Sequence, residues 1–557
     1  MKHILSSRNF VTLFRGGAGT GKSFTLREVK AGLAKMRHAV HVLAPQRQQV
    51  ADLEHDGFDD AQTVSAFLTQ RSMKRGAVVL VDEAGQIGGQ QMLELLKYIE
   101  ANEGRVILSG DTRQHGAVEA SDALRAIETY SGLGCAELTN IRRQNPASAK
   151  NQVERRWLEQ YKLAVDEAQK GKFGSSFDRL DEQGAIIACT LANQQEKLAE
   201  HFLKLLQDRQ STVVVSQSWS EIHKVNEQVR LGLKSQKLIG EAETVVTALE
   251  RQDLTNAQKR DKRLYQADAV LVFNRPASGC KSGGTGKLRG ITDKHLLVEA
   301  GNRIRPVPFK ELDKITVCQP KELSLSSGDR LQLKANDKSL DSRKIANGEL
   351  VTVKQVHPDG RIALDDGRTL PKDYRQFVRG YAVTSYAAQG KTVDYVLFSD
   401  SAVKAATNEQ QWYVTISRGR KGVKIFTADK IQLRQNITHS GNRTLALDIA
   451  DESSLQKLAN NWRRNTAYVL DVQHSERLSA ERAAETVQRE EAERRAEILR
   501  RAEAINQAQA AKPVEKPAES IKPVEPVKRT VKEVEALRRR IEISRQLTQQ
   551  KSKGMRV

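Results

Sequence analysis

The 557-residue chain has only four cysteines, Cys135, Cys189, Cys280 and Cys318, scattered without C-x-x-C spacing. That excludes a disulfide framework and a cysteine-based zinc site, and fits four thiols in a reducing cytoplasm. No stretch approaches the roughly eighteen apolar residues that a membrane span needs, so membrane insertion is not expected. The N-terminus, Met1 to Leu5, lacks the apolar region of a signal peptide. Proline is scarce, with four of the twelve between Pro513 and Pro526, alternating with Lys, Glu and Val. That stretch reads as an extended linker inside a charged tail, 446–557. Ser475 to Lys512 suits a long charged helix, and Thr530 to Lys551 a further basic one. What the chain has in excess is positive charge, a formal +21. Such a balance points to a polyanionic partner, either nucleic acid or an anionic membrane face.

The order of apolar runs sets the fold class. Phe10 to Phe14, Ala39 to Ala44, Ala77 to Val81 and Arg105 to Leu108 are short β-branched runs separated by helix-like stretches. Continuous apolar strands of this kind belong to parallel sheets buried on both faces. A second set, Thr212 to Val215, Tyr395 to Phe398 and Val423 to Phe426, predicts a second α/β core. Turn signals such as Ser282-Gly283-Gly284, Pro358-Asp359-Gly360 and Asp366-Gly367 mark a small β-barrel-like insertion. The expected division is 1–150 for the first core and 151–264 for linker helices and the start of the second. The insertion then covers 265–375, and 376–445 completes the second core. The helix over Arg155 to Gly171 is expected to bridge the two.

Chemistry enters with Gly16-Gly17-Ala18-Gly19-Thr20-Gly21-Lys22-Ser23, which fits G-x-x-x-x-G-K-[ST]. By average residue usage the pattern arises at roughly 3 positions in 100,000 by chance. Here it also follows a strand and opens a helix, as a phosphate-binding loop must. The glycines let successive backbone N–H groups turn inward around phosphate, and the helix N-terminus adds its dipole. Lys22 reaches the β- and γ-phosphates, and Ser23 offers its hydroxyl to Mg²⁺. The strand Val78 to Val81 delivers Asp82 to the metal side and Glu83 as the group that polarises an attacking water. Gln114 ends the next strand as a γ-phosphate sensor. Arg143 and Arg418, in two later arginine clusters, supply cations of the arginine-finger type. ATP and Mg²⁺ are the expected cofactors.

With these pieces in order, the chain resembles superfamily 1B, RecD-like DNA helicases, and within them the helicase half of MobF-type conjugative relaxases (TraI/TrwC-like). Gly16 to Ser23 is similar to motif I, Leu43 to Gln46 to motif Ia, Asp82 to Gln86 to motif II and Gly110 to Gln114 to motif III. Leu138 to Gln144 resembles motif IV, Gly380 to Thr392 motif V, and Tyr413 to Arg418 motif VI. Ser327 to Arg330 with Ala346 to Glu349 looks like the small inserted β-domain of that branch. The resemblance implies two RecA-like domains and an ATP-dependent, 5′-to-3′ motor on single-stranded DNA, linked to conjugative transfer and its relaxosome proteins. It also implies that Thr63, Thr384 and Ser385 touch the DNA backbone and that Gln389 couples DNA to ATP.

The chain departs from that pattern in three ways. The glutamine motif upstream of motif I is missing, and so is the relaxase half. The segment between Phe67 and Ala77 is too short for a strand-separating pin. Two other readings remain open: a P-loop ATPase acting on RNA or protein, and a degenerate, non-catalytic DNA-binding remnant of a relaxase.

Overall fold

The computed structural model describes residues 1–119, 121–266, 268–400 and 407–450. The expected charged tail helices and proline-rich linker, from residue 451 on, lie outside the described residues.

The first core is a six-stranded parallel sheet. Its spatial order is Gln62–Thr63, Val40–Ala44, Val78–Val81, Arg105–Gly110, Val11–Gly16 and Cys135–Leu138. Each of the four apolar runs forms a strand here. Val78–Val81 is buried along its whole length, as a strand covered by helices on both faces must be. The two edge strands carry no apolar run, because an edge needs less burial: Cys135–Leu138 is partly exposed throughout. The helix Lys22–Lys35 follows the phosphate-binding loop and buries Leu26, Val29 and Leu33, one stripe at helical spacing.

The second core is a five-stranded parallel sheet in the order Ala382–Thr384, Thr212–Ser216, Val393–Ser399, Gly419–Thr427 and Ile186–Ala188. Two RecA-like α/β cores are therefore present. The helix Gln152–Gln169 does not span freely between them. Its Leu158, Tyr161, Ala164 and Val165 pack with Trp412, Ile416 and Ile425 of the second core. Ala18, from the phosphate-binding loop, is buried in that same cluster.

Between helix Trp219–Ser235 and strand Ala382–Thr384 the described residues build three antiparallel sheets, the smallest of them the pair Asp337–Lys338 and Lys344–Ile345. One has six strands, running from Arg303–Pro308 at one edge to Thr244–Gln252 at the other; the second has five, between Thr369–Leu370 and Phe377–Arg379. Antiparallel strands thus begin at Thr244, ahead of the turn signals that set the expected boundary at 265, and end at Arg379 rather than 375. The long strand Thr244–Gln252 pairs with Ile315–Leu325, some seventy residues on, so no local turn announces it.

Asp329 anchors this β-region to the second core. Its side chain is 1% exposed. It accepts hydrogen bonds from Arg230 Nε at 3.0 Å, the Tyr381 hydroxyl at 2.7 Å and the Ser326 N–H at 2.7 Å. Replacing Asp329 by Ala strands the buried Arg230 guanidinium, which still meets Glu243 but loses its fully buried partner. We expect Asp329→Ala to destabilise the second core by about 3 kcal/mol, read as a lowered thermal midpoint, with Asp329→Asn costing less.

Candidate nucleotide site between the two cores

The loop Gly16 to Ser23 leaves the C-terminal end of strand Val11–Gly16 and enters the helix that starts at Lys22. One of its glycines is required by close approach, and a second lies against the end of a movable side chain. A Cβ on Gly19 would lie 2.6 Å from Arg143 Cβ, at a φ of +74° that L side chains rarely adopt. A Cβ on Gly17 would lie 2.5 Å from Gln169 Nε2. The carbonyl of Gly19 accepts the N–H groups of Arg142 at 2.8 Å and Arg143 at 3.1 Å. This pairing sets the arginine-bearing segment directly over the loop.

Asp82 and Glu83 follow the neighbouring strand, and Glu83 is held at φ +50°, a left-handed conformation. For a non-glycine residue that costs on the order of 1–3 kcal/mol and is often kept at a functional turn. It turns the carboxylate to Lys22, whose Nζ lies 3.0 Å from Glu83 Oε1. Asp82 Oδ1 accepts from the Ser109 hydroxyl at 3.1 Å. Gln114 donates to Asp111 Oδ2 at 3.1 Å and accepts from Arg418 Nη2 at 3.3 Å. Arg143 Nη1 donates to the Ser417 carbonyl at 2.6 Å. Gln389, from the second core, donates to Glu83 Oε2 at 3.2 Å.

Lys22, Ser23, Asp82, Glu83, Gln114, Arg143 and Arg418 therefore line one cleft of about 510 Å³. Residues more than three hundred positions apart meet there. Arg142 and Arg420 add two further cations to its wall, and neither was singled out by motif.

The electrostatics are those of a site short of solvent. Burial by itself would lower the Lys22 ammonium, but Glu83, Asp82 and Asp111 together hold it above its usual value. Burial would likewise raise Glu83, yet Lys22 and Arg418 keep it below the ordinary carboxylate range. Asp82 is raised by its burial, with Lys22 only partly offsetting this. Burial and the nearby Arg418 bring Arg143 down to about 9. The Ser23 hydroxyl and the Asp82 carboxylate are hard oxygen donors on the wall of one cleft, and the second lacks sufficient positive charge of its own. That donor set fits Mg²⁺.

The three residues implied to touch DNA lie elsewhere. The Thr63 hydroxyl caps helix Val64–Gln70, accepting from Ala66 N–H at 3.2 Å, and Thr384 caps Ser385–Ala388, accepting from Ala387 N–H at 3.3 Å. Both are partly exposed and keep a proton to donate. Ser385 is different: it is 1% exposed, and its hydroxyl is taken up by His115 Nε2 at 3.0 Å and Gln217 Oε1 at 3.3 Å. It is not open to a strand in this arrangement, because its oxygen joins the two cores.

Two residues that sequence reasoning missed sit at this joint. The Tyr413 hydroxyl, fully buried in the second core, accepts the N–H of Ala18 in the phosphate-binding loop at 2.8 Å. His115 is pushed down to about 3 by burial and by Arg418, so its ring is neutral. Tyr413 lies inside a run noted for its arginine and His115 directly follows one noted for its glutamine; a contact spanning 395 positions leaves no local mark.

Fold and site together define the class: two RecA-like α/β cores that share one cleft lined by the loop Gly16 to Ser23. Residues 1–191 match the AAA domain family. The chain is 21% identical over 516 residues to the multifunctional conjugation protein TraI of Escherichia coli, covering 83% of this chain and 29% of that protein. It is 22% identical over 297 residues to the conjugal transfer protein TraA of Agrobacterium fabrum, covering 52% and 25%. The chain thus spans less than a third of the curated relatives it matches. Among solved structures it is similar to a Pif1 helicase from Bacteroides in complex with ADP-AlF3 and ssDNA. That match has 14% identity and a TM-score of 0.36, over 83% of this chain and 96% of that one.

The close approach at Gly19 gives a direct check. Gly19→Ala must displace either the loop or the Arg143 segment, so nucleotide affinity should fall at least about ten-fold, an order set by the loss of one to two aligned hydrogen bonds. Titration with a fluorescent ADP derivative measures this, and unchanged affinity would show that the loop tolerates the shift.

Proposed function

We propose that the chain is an ATP-driven motor on single-stranded DNA, a translocase or helicase moving 5′-to-3′ that serves DNA processing in conjugative transfer in the cytoplasm. The observation that supports this best is the meeting of Lys22, Glu83, Gln114, Arg143 and Arg418 in a single cleft walled by both cores. A hydrolysis site that borrows groups from two bodies ties each turnover to their relative position. The 5′-to-3′ direction and the relaxosome partners rest on the resemblance to conjugation proteins.

Each side chain has a part. Lys22 binds the β- and γ-phosphates, leaving Glu83, its present partner, to orient the attacking water and take its proton. Arg143 and Arg418 offset negative charge on the phosphoryl oxygens. Gln114, held by Asp111 and touched by Arg418, senses the terminal phosphate. Ser23 and Asp82 would hold Mg²⁺, which supplies charge neutralisation between phosphates when bound. Gln389 reaches Glu83 from the helix turn that also carries Thr384, so strand contact and chemistry share one short segment. Thr63 and Thr384 hold the DNA backbone through neutral hydroxyls, contacts that position a strand without reading its sequence.

Hydrolysis of ATP by the purified protein, with and without single-stranded DNA, tests the reading. We expect strong stimulation by DNA, complete loss in Lys22→Ala, and a fall of about 10³-fold or more in Arg418→Ala, an arginine-finger magnitude, with nucleotide binding retained. Turnover indifferent to DNA would favour an ATPase that acts on RNA or protein, and no turnover at all would favour a non-catalytic DNA-binding role.

A further inference from the structure

Tyr386 stands in the short helix Ser385–Ala388 at the edge of the second sheet. Ser385 and Ala388 are buried there, but Tyr386 is 45% exposed. Its ring lies flat on the imidazole of His115, with centroids 3.8 Å apart and planes 13° apart. His115 comes from the first core and is 5% exposed. It is fixed in turn by the Ser385 hydroxyl, 3.0 Å from its Nε2, which also meets Gln217 Oε1 at 3.3 Å. Burial raises the Tyr386 hydroxyl, and the charge of the Arg443 guanidinium, which donates to the carbonyls of Glu119 at 2.8 Å and Val118 at 3.1 Å, works against that rise.

An aromatic ring braced on one side and open on the other is preorganised for a flat partner. Its rotamer is already set, so stacking costs little further side-chain entropy. The bases of a single strand are such partners. Each presents a π-face whatever its identity, so a platform grips without reading sequence. A cation near the hydroxyl suits the phosphates on either side of a stacked base.

We infer that Tyr386 is a stacking platform for one nucleobase of the bound strand, with His115 of the other core as its positioning residue. The inference rests on the DNA-motor reading and adds a base contact to the backbone contacts of Thr63 and Thr384. It also makes the grip depend on the joint between the cores. His115 follows Gln114, which meets Arg418 in the nucleotide cleft. If the cores part after phosphate release, His115 leaves Ser385 and the brace goes with it. The platform is then firm when the cleft is closed and loose when it is open.

The test compares two labelled strands of equal length, oligodeoxythymidine and the same strand with abasic sites, by fluorescence anisotropy with a non-hydrolysable ATP analogue. Tyr386→Ala should weaken binding of the thymidine strand about ten-fold while changing the abasic strand less than about two-fold, since base–aromatic stacking carries the loss. Tyr386→Phe should bind both strands as the parent does. His115→Ala should show the same base-dependent loss, and only while the analogue is present. Equal losses on both strands, or no loss on either, overturn the platform alone. Failure of the parent protein to bind either strand overturns the motor reading along with it.

Discussion

The Glu83 carboxylate receives Lys22 on one oxygen, from its own core, and Gln389 on the other, from the facing core. Around it lie two further acids, Asp82 and Asp111, and three cations, Lys22, Arg143 and Arg418, all largely buried. In such surroundings an unpaired charge costs several kcal/mol. The cluster is tolerable because each core supplies what the other lacks. The first provides the carboxylates and Lys22, whereas Arg418 comes from the second. On the proposed motor reading, any ligand that redistributes charge in the cleft therefore acts on the fit between the cores.

The joint is reinforced by contacts beyond the Lys22–Glu83 ion cluster. Ala18 of the phosphate-binding loop is buried in the apolar cluster of the second core and gives its N–H to Tyr413. His115 meets Ser385 and Tyr386. Past the last strand of the second core, Arg443 and Asp448 turn back to the first core, bonding Val118, Glu119, Arg125 and Tyr130. The two cores are thus held together at the candidate nucleotide cleft, at the motif-V-like helix and through this returning segment. The β-region is fixed separately, by Asp329 beneath the motif-V-like strand.

Much of this was legible in the residues. The order of apolar runs gave the two parallel sheets, because a buried parallel strand must be apolar throughout. The phosphate-binding loop, Asp82, Glu83, Gln114, Arg143 and Arg418 stand in the cleft where their motifs placed them. The edge strands and the start of the β-region were not legible, since Cys135–Leu138 is half exposed and Thr244–Gln252 finds its partner far along the chain. Helix Gln152–Gln169 looked like a bridge because its amphipathic pattern shows that one face is buried, not against which core. Ser385 carried a family expectation of a DNA contact. What local sequence could not show is that His115, 270 positions earlier, occupies its hydroxyl.

The central claim is that the nucleotide sets the spacing of the two cores. Cys135 is an exposed thiol on the first sheet, and Cys189 follows the edge strand Ile186–Ala188 of the second. With Cys280 and Cys318 replaced by serine and alanine, spin labels on Cys135 and Cys189 report the distance between the cores by pulsed electron resonance. The account predicts distinct distance distributions for the nucleotide-free, ADP and ATP-analogue states, the last narrowest, with Arg418→Ala erasing the difference between ADP and the analogue. A single distribution, unchanged by any nucleotide that demonstrably binds, would contradict it.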